Sequence, residues 1–340
     1  MSHYTDDIIE LNRDVEPFII QGSATRAPAF KRQDPEKFPE KYKVLQFVHT
    51  ADMHNQPELW DRMVKYINHY SEYIAFGIHT GDYCGGWQDS YTDFYVKCTK
   101  CVRPIYNCVG NHDTVRKAED GGSWDNDKKS AHDLLFNHKD EWNATFCPAD
   151  NSMTYYIDYE ESNIRIIVLD LYYDIEIQIK WLCETLDDAM AKGISVITAM
   201  HEPSGPMNNS FGVTFHTIND YEGLVGRREQ QPFEPIIADF ISAGGKYICN
   251  LAGHDHHDSF GFSDSGVLNV IVESGTCWDG WCDGKRIKGT RTYDAFNVMS
   301  VDVNLGILKL VRVGDNVDNY LRIKRTLCYD YVNKKIIFCG

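Results

Sequence analysis

Residues 43–54 read KVLQFVHTADMH, residues 73–82 read YIAFGIHTGD, and residues 104–113 read PIYNCVGNHD. Each begins as a short run of apolar, β-branched and aromatic residues and ends in a polar turn. That is the pattern of a buried strand feeding a loop. Between the first two lies an amphipathic stretch, 57–70, with Leu59, Met63, Ile67 and Tyr70 at helical spacing. A second helix is expected across 89–100. Strand, helix, strand, helix, strand is the signature of a parallel α/β sheet. Asp82 follows Asp52 by 30 residues, and Asn111 follows Asp82 by 29; each interval is one βαβ unit. Asp52-Met53-His54, Gly81-Asp82 and Gly110-Asn111-His112-Asp113 therefore gather at one edge of the sheet, past the strand carboxyl ends. Open α/β sheets bind their ligands there.

Downstream the same grammar continues. TYYID (154–158) and IRIIVLD (164–170) read as a strand pair, followed by a helix over 175–191. The strand ISVITAM (194–200) delivers His201, and KYICNLA (246–252) delivers Gly253-His254-Asp255-His256, so these histidines can join the same edge. A helix is expected at 230–243 and a strand at VLNVIVE (267–273). FNVMSVDV (296–303) and ILKLVRV (307–313) read as antiparallel strands joined by an Asn-Leu-Gly turn. Residues 114–150 break the pattern and read as an insertion with a short helix near 129–138. Residues 203–227 are rich in Gly, Pro, Asn and Ser; loops of that length are usually lids or binding loops. The expected organisation is one domain over 41–315, an N-terminal extension over 1–40 that wraps it or is partly ordered, and a C-terminal extension over 316–340 packed on it.

The chain carries 34 basic and 50 acidic side chains, a net charge of −16. A field of that sign repels nucleic-acid phosphate and suits divalent cations. No apolar run is long enough for a transmembrane helix, and the start, MSHYTDDIIELNRD, has no secretory pattern. The 11 cysteines are odd in number and read as reduced thiols, which with the missing signal points to a cytoplasmic protein. Cys98 with Cys101, and Cys277 with Cys282, leave a zinc knuckle open beside the plainer reading of buried or loop thiols.

The residue types at the shared edge decide the chemistry. Asp52, His54, Asp82, Asn111, His201, His254 and His256 form an oxygen and nitrogen set without thiolate. Such a set suits manganese, iron, zinc or cobalt rather than a structural zinc finger. Seven ligands are too many for one ion and right for two that share a carboxylate, with Asp82 the natural bridge. Two cations about 3.5–4 Å apart can clamp a phosphoryl group and activate a bridging water.

In order, D-x-H, G-D, G-N-H-D, a lone His after a strand and G-H-x-H resemble the calcineurin-like metallophosphoesterase family, across residues 52–256. The resemblance implies an α/β fold, a four-layer α/β/β/α sandwich with two mixed sheets. It assigns one metal to Asp52, His54, Asp82 and His256, and the other to Asp82, Asn111, His201 and His254. His112 becomes the proton donor to the leaving oxygen or a stabiliser of transition-state charge, and Asp113 an orienter of His112 or of its loop. Purple acid phosphatases carry a tyrosine where this chain has Gly85 and lack the equivalent of His54, which argues against a tyrosinate-bound ferric centre. His201 is followed by Glu202-Pro203, which keeps the ligand.

The expected activity is hydrolysis of a phosphate monoester or diester by a bridging hydroxide at a dinuclear centre. The expected partner is a small phosphorylated substrate, with no duplex nucleic acid and no membrane. Two alternatives stand beside it. One is a single-strand nuclease gripping its substrate with Lys285, Arg286, Lys288 and Arg291; the other is a non-catalytic interaction module on the same fold. Asn111, His112 and Trp87 are candidate substrate contacts, and Tyr83, Trp278 and Trp281 candidate pocket walls. His49 and His79 read as core or supporting imidazoles, and Asp255 and His257 as outer or surface groups.

Overall fold

The computed structural model describes residues 6–21, 41–83, 100–113, 128–205, 207–208, 231–256, 258–275, 286–315 and 325–339. The strands run in chain order. First come β1 (Leu45–Thr50), β2 (Phe76–His79) and β3 (Ile105–Asn107). Then follow β4 (Ala144–Phe146), β5 (Tyr155–Tyr159), β6 (Ile164–Val168), β7 (Ser195–Ala199), β8 (Met207–Asn208), β9 (Tyr247–Ala252), β10 (Ser259–Ser263) and β11 (Leu268–Ile271). The chain closes with β12 (Phe296–Asp302), β13 (Ile307–Val313), β14 (Thr326–Asp330) and β15 (Lys335–Cys339).

Among the described residues they build two mixed sheets, ordered β15-β14-β13-β12-β1-β2-β3 and β4-β5-β6-β7-β9-β11-β10-β8. In the first sheet β1, β2 and β3 are parallel. In the second, β6, β7, β9 and β11 are parallel. The motif-bearing loops leave the carboxyl ends of β1, β2, β3, β7 and β9, so the two sheets contribute to one edge.

Period-two alternation explains the layering. In β6, Ile164, Ile166 and Val168 join the core shared with the first sheet, while Ile167 packs with Trp181, Leu182, Phe233 and Ile237 from the outer helices Ile175–Lys192 and Glu234–Ser242. A strand buried on both faces is apolar on both, and 164–169 is apolar except for Arg165, which is buried only because Asp158 and Asp188 pair with it, at 2.7 and 2.9 Å. Each of the apolar side chains contributes about 1.5–3 kcal/mol on burial. The helix Pro57–His69 covers the first sheet, with Met63, Val64 and Ile67 buried. The order helix, sheet, sheet, helix is the α/β sandwich expected, and 296–303 pairs with 307–313 as read.

The short helices of residues 6–21 and the strands β4, β14 and β15 are not among the expected elements, whereas the helix Lys128–Leu135 answers the one expected near 129–138. Residues 6–21 hold short helices, Ile8–Leu11 and Glu16–Gln21, and place Ile8, Val15 and Ile19 in the main core. Buried polar tethers fix them: Arg62 grips Asp294 at 2.7 Å and Asp6 at 2.9 Å, and Gly314 donates to Asn12 Oδ1 at 2.8 Å. β14 and β15 extend the first sheet beyond β13. The insertion supplies the helix Lys128–Leu135 and edge strand β4. The helix expected over 89–100 falls, but for Lys100, outside the described residues. No helix among the described residues is long and apolar enough to cross a membrane.

Candidate metal centre

Each candidate ligand follows a parallel strand within four residues, where the chain must turn sharply out of the sheet. The backbone shows the cost. Asp52, His54, Asp82, His254 and His256 all sit at positive φ, between 41° and 69°. Residues other than glycine avoid that region, at about 1–3 kcal/mol each when held there. Surrounding bonds hold them: Asp52 N donates to Gly81 O at 2.9 Å, His54 N to Asp82 O at 3.2 Å, and His254 N to Asp52 Oδ2 at 3.0 Å. The motif glycines are there for space. A Cβ on Gly110 would strike Asp82, and one on Gly253 would lie 2.6 Å from Asp52 Oδ2.

The side chains converge in two groups. Asp52, His54, Asp82 and His256 each offer one ligand atom, all within 4.8 Å of one another. Within that group His54 Nε2 and His256 Nε2 are 3.2 Å apart, and His256 Nε2 lies 3.5 Å from Asp52 Oδ1. On the other side of Asp82, His201 Nε2 lies 3.3 Å from its Oδ2, 2.9 Å from Asn111 Oδ1 and 3.2 Å from His254 Nδ1, and that nitrogen is 3.2 Å from Asn111 Oδ1. All seven residues are thus brought together, with Asp82 common to both groups.

Two observations show that this set fits transition ions. Asp52 Oδ1 is buried and accepts no hydrogen bond, which a carboxylate tolerates only beside a positive charge. Pairs of imidazole nitrogens at 3.2 Å share one proton or one cation between them, and the donors are nitrogen and oxygen throughout. Burial pushes the Asp82 carboxyl up, but the charges of His201, His112 and His54 outweigh it and hold it well below its usual range. Burial likewise pulls His201 down, while Asp82 and Asp52 win and lift it to about 10. Its Nδ1 donates to Thr80 O at 2.7 Å, so a cation would exchange for the proton on Nε2.

The fold matches what family comparison finds. The model of the calcineurin-like phosphoesterases matches residues 45–258. The chain belongs to the calcineurin-like phosphoesterase family. Among solved structures it is similar to a dimetal phosphatase from Danio rerio, at 13% identity and a TM-score of 0.57, covering 84% of this chain and 99% of that one. It is also similar to GAP50, the anchor in the inner membrane complex of Plasmodium, at 13% identity and a TM-score of 0.46, covering 85% and 88%. No curated protein matches it significantly by sequence.

Other residues of this phosphoesterase domain fall into place around the centre. His112 N donates to Asp82 Oδ1 at 2.8 Å, and its half-buried ring meets that of His54 edge-on, 5.1 Å between centroids. Asp113 had two roles open. Its carboxylate accepts from the backbone N–H of Asp82, Gly110 and Tyr83 at 2.8–2.9 Å, so it ties the Gly-Asp and Gly-Asn-His-Asp loops together. Tyr83 is fully buried and stacks on His79 at 3.7 Å; it packs the loop rather than walling a pocket. His49 and His79 are fully buried, and His49 Nε2 meets Thr80 Oγ1 at 3.1 Å. Asp255 is half-buried beside the ligand pair. Trp87, Trp278, Trp281, His257, Lys285, Cys98, Cys277 and Cys282 lie outside the described residues, as do 206 and 209–227 of the long loop. Cys101 donates to Asn68 Oδ1 at 3.5 Å.

The three described members of the basic cluster are each paired with carboxylates. Arg286 is buried against Glu273 at 2.7 Å, Lys288 pairs with Glu58, and Arg291 pairs with Asp14 and Asp315 at 3.0 and 3.1 Å. Three residues near the centre escaped the motif reading. Glu202 is buried directly after His201, accepting from Tyr172 Oη at 3.1 Å and Gln231 Nε2 at 2.8 Å. Ser274 donates from Oγ to Asp52 O at 2.9 Å. Asp170, after β6, is buried at the same edge. Each follows a strand, the one signal that singles them out.

Proposed function

We propose that this chain hydrolyses a phosphate monoester or diester at a dinuclear metal centre. Asp52, His54, Asp82 and His256 hold one ion, and Asp82, Asn111, His201 and His254 hold the other. The sharing of Asp82 between two convergent donor groups carries the reading. Two bound transition ions supply charge for the phosphoryl oxygens and a water acidified towards neutral pH, the chemistry of an in-line displacement. Asp82 keeps the two ligand groups in register, since its Oδ1 is fixed by His112 N while Oδ2 faces the imidazoles. Thr80 O holds His201 in one orientation. His112, at the rim of the centre, gives a proton to the leaving oxygen. Asn111 and His112 face the substrate.

The pairing of Arg286, Lys288 and Arg291 with carboxylates speaks against a single-strand nuclease that uses them as its grip. The test is an activity panel on chelator-treated protein with manganese restored: p-nitrophenyl phosphate, bis-p-nitrophenyl phosphate, cyclic nucleotides and single-stranded DNA. Turnover of an ester only with metal, and two ions bound per chain by mass spectrometry, is the expected outcome. Saturation at one ion with full activity would sink the dinuclear reading.

A further inference from the structure

Beneath the Asp52 loop lies a second buried cluster of charge. Arg312, on the inner face of the first sheet, is 2% exposed. Its Nη1 lies 3.1 Å from Asp258 and its Nη2 pairs with Glu273. The other oxygen of Glu273 takes Arg286 Nη2 at 2.7 Å, and the same nitrogen donates to Ser274 O at 2.6 Å. Glu273 N donates to Asp258 Oδ1 at 3.0 Å, and Asn297, the cross-strand neighbour of Arg312, reaches that oxygen at 3.3 Å. Two guanidiniums therefore face two carboxylates, and the charge closes.

Stability is a poor explanation for such a cluster. Desolvating four charged groups costs several kcal/mol apiece, and apolar residues of similar volume often serve as well or better. Geometry is the better one. Asp258 stands two residues after His256, and Glu273 stands next to Ser274-Gly275. Those two residues reach back to the first metal group: Ser274 Oγ donates to Asp52 O, and Gly275 N to Ala51 O, both at 2.9 Å. Asp52 itself sits at φ 51°, a conformation that persists only when its surroundings over-determine it. Asn111 and His201 hang from β3 and β7, away from the Asp258 and Ser274 turns, and of the other group His254 alone shares the 254–256 turn, its N–H donating to Asp52 Oδ2 at 3.0 Å.

We infer that Arg312, Glu273, Arg286 and Asp258 form a clasp that positions Asp52 and His256, and so governs the affinity of one metal site more than that of the other. The inference rests on the two-metal reading proposed above. Its residues are positioning residues and contact no substrate.

The test uses the full chain, stripped with chelator and titrated calorimetrically with manganese. The double variant R312M/D258N removes one charge of each sign, leaving Arg286 paired with Glu273. It should weaken one site by roughly 10–100-fold, the usual effect of losing a ligand's supporting partner, and the other by clearly less. Arg312→Lys, which keeps charge but loses the two-pronged contact, should fall between. Ser274→Ala leaves the ion pairs intact and cuts their link to Asp52; it should weaken the same site, and it serves if the double variant does not fold. Equal weakening of both sites, or unchanged affinities with only a lower Tm, would overturn the clasp. Wild-type protein that binds no ion would overturn the metal reading itself, and the clasp with it.

Discussion

Two clusters of buried charge lie side by side at one edge of the sandwich, and they are balanced in opposite ways. In the clasp, the guanidiniums of Arg312 and Arg286 pair with the carboxylates of Asp258 and Glu273. In the metal cluster, the ion partners of Asp52 and Asp82 among the described residues are imidazoles. Those imidazoles disagree. His201 is lifted to about 10 by the carboxylates, whereas burial outweighs them at His54 and His254 and pulls both down. Five or more lone-pair donors thus compete for the same few protons. A cluster closed by guanidinium forks has one arrangement. A cluster of carboxylates and imidazoles is completed by whatever cation enters, which is what a site that exchanges metals requires.

The largest expected effect breaks the metal cluster at its shared member. Asp82→Asn keeps the volume and the acceptor for His112 N–H but removes the charge common to both groups. Both ions should be lost at micromolar metal, and kcat/KM should fall by roughly 10⁴-fold, since the metals supply several kcal/mol of charge stabilisation. Metal content by mass spectrometry, alongside turnover, checks it; a variant that retains two ions would make Asp82 no bridge.

His112→Ala comes next, and separates chemistry from binding. Both ions should remain while kcat falls by roughly 10²–10⁴, the scale of a lost general acid. The fall should shrink for p-nitrophenyl esters, whose leaving group needs little protonation. Loss of metal in this variant would show that His112 is a ligand or a prop.

A smaller effect reads the competition for protons directly. Because the carboxylates lift His201 to about 10, it is protonated at neutral pH, and a cation must expel that proton. Affinity should therefore rise with pH, by about tenfold per unit for each proton released. Titrations in buffers of different ionisation enthalpy would count those protons. The clasp has no such exchange, so variants in it should leave the proton count of the surviving site unchanged. Metal binding that is flat between pH 6 and 8 would contradict this picture.

The sequence made the convergence of the candidate metal ligands easy to read and hid the clasp. Each ligand stands in a short motif after an apolar strand, so type and position reinforce each other. Arg312 lies inside the run ILKLVRV, Glu273 at the end of VLNVIVE, and Asp258 in a stretch of histidines; nothing local links them, because 54 residues separate Asp258 from Arg312. The same holds for residues 6–21. Ile8, Val15 and Ile19 enter the core, but three apolar side chains in a polar stretch make no clear period, and their tethers reach residues near 300 in the chain. β14 was more accessible: Leu327 and Tyr329 alternate inward as β-residues should. Legibility followed the range of the interaction, local for turns and strands, long-range for paired charges.

A buried carboxylate outside both clusters completes the contrast, with neither guanidinium forks nor a ring of imidazoles about it among the described residues. Asp170 leaves β6 at the same edge, is 2% exposed, and accepts from Tyr172 N at 2.8 Å. Burial raises its pKa from 3.8 to about 7, against smaller opposing effects from the Tyr172 and Tyr173 backbone and from Lys128. The consequence for stability has a definite sign. Below about pH 4 both folded and unfolded chains hold the proton. Between there and about pH 7 the unfolded chain releases it and the folded chain does not, so Asp170 makes stability fall as pH rises, and adds no further slope above about 7. An interval of about three pH units at about 1.4 kcal/mol each amounts to something on the order of 4 kcal/mol. Asp170→Asn keeps the acceptor for Tyr172 N–H and nearly the same volume, but cannot ionise. Urea unfolding of both proteins should give nearly equal stabilities near pH 4, with the variant pulling ahead as pH rises to 7 and the gap constant beyond. Because Asp170 stands outside both donor groups, kcat/KM should hardly change. Parallel stability curves across that window would show that the folded chain already carries Asp170 ionised, balanced by a partner as well matched as those of the clasp.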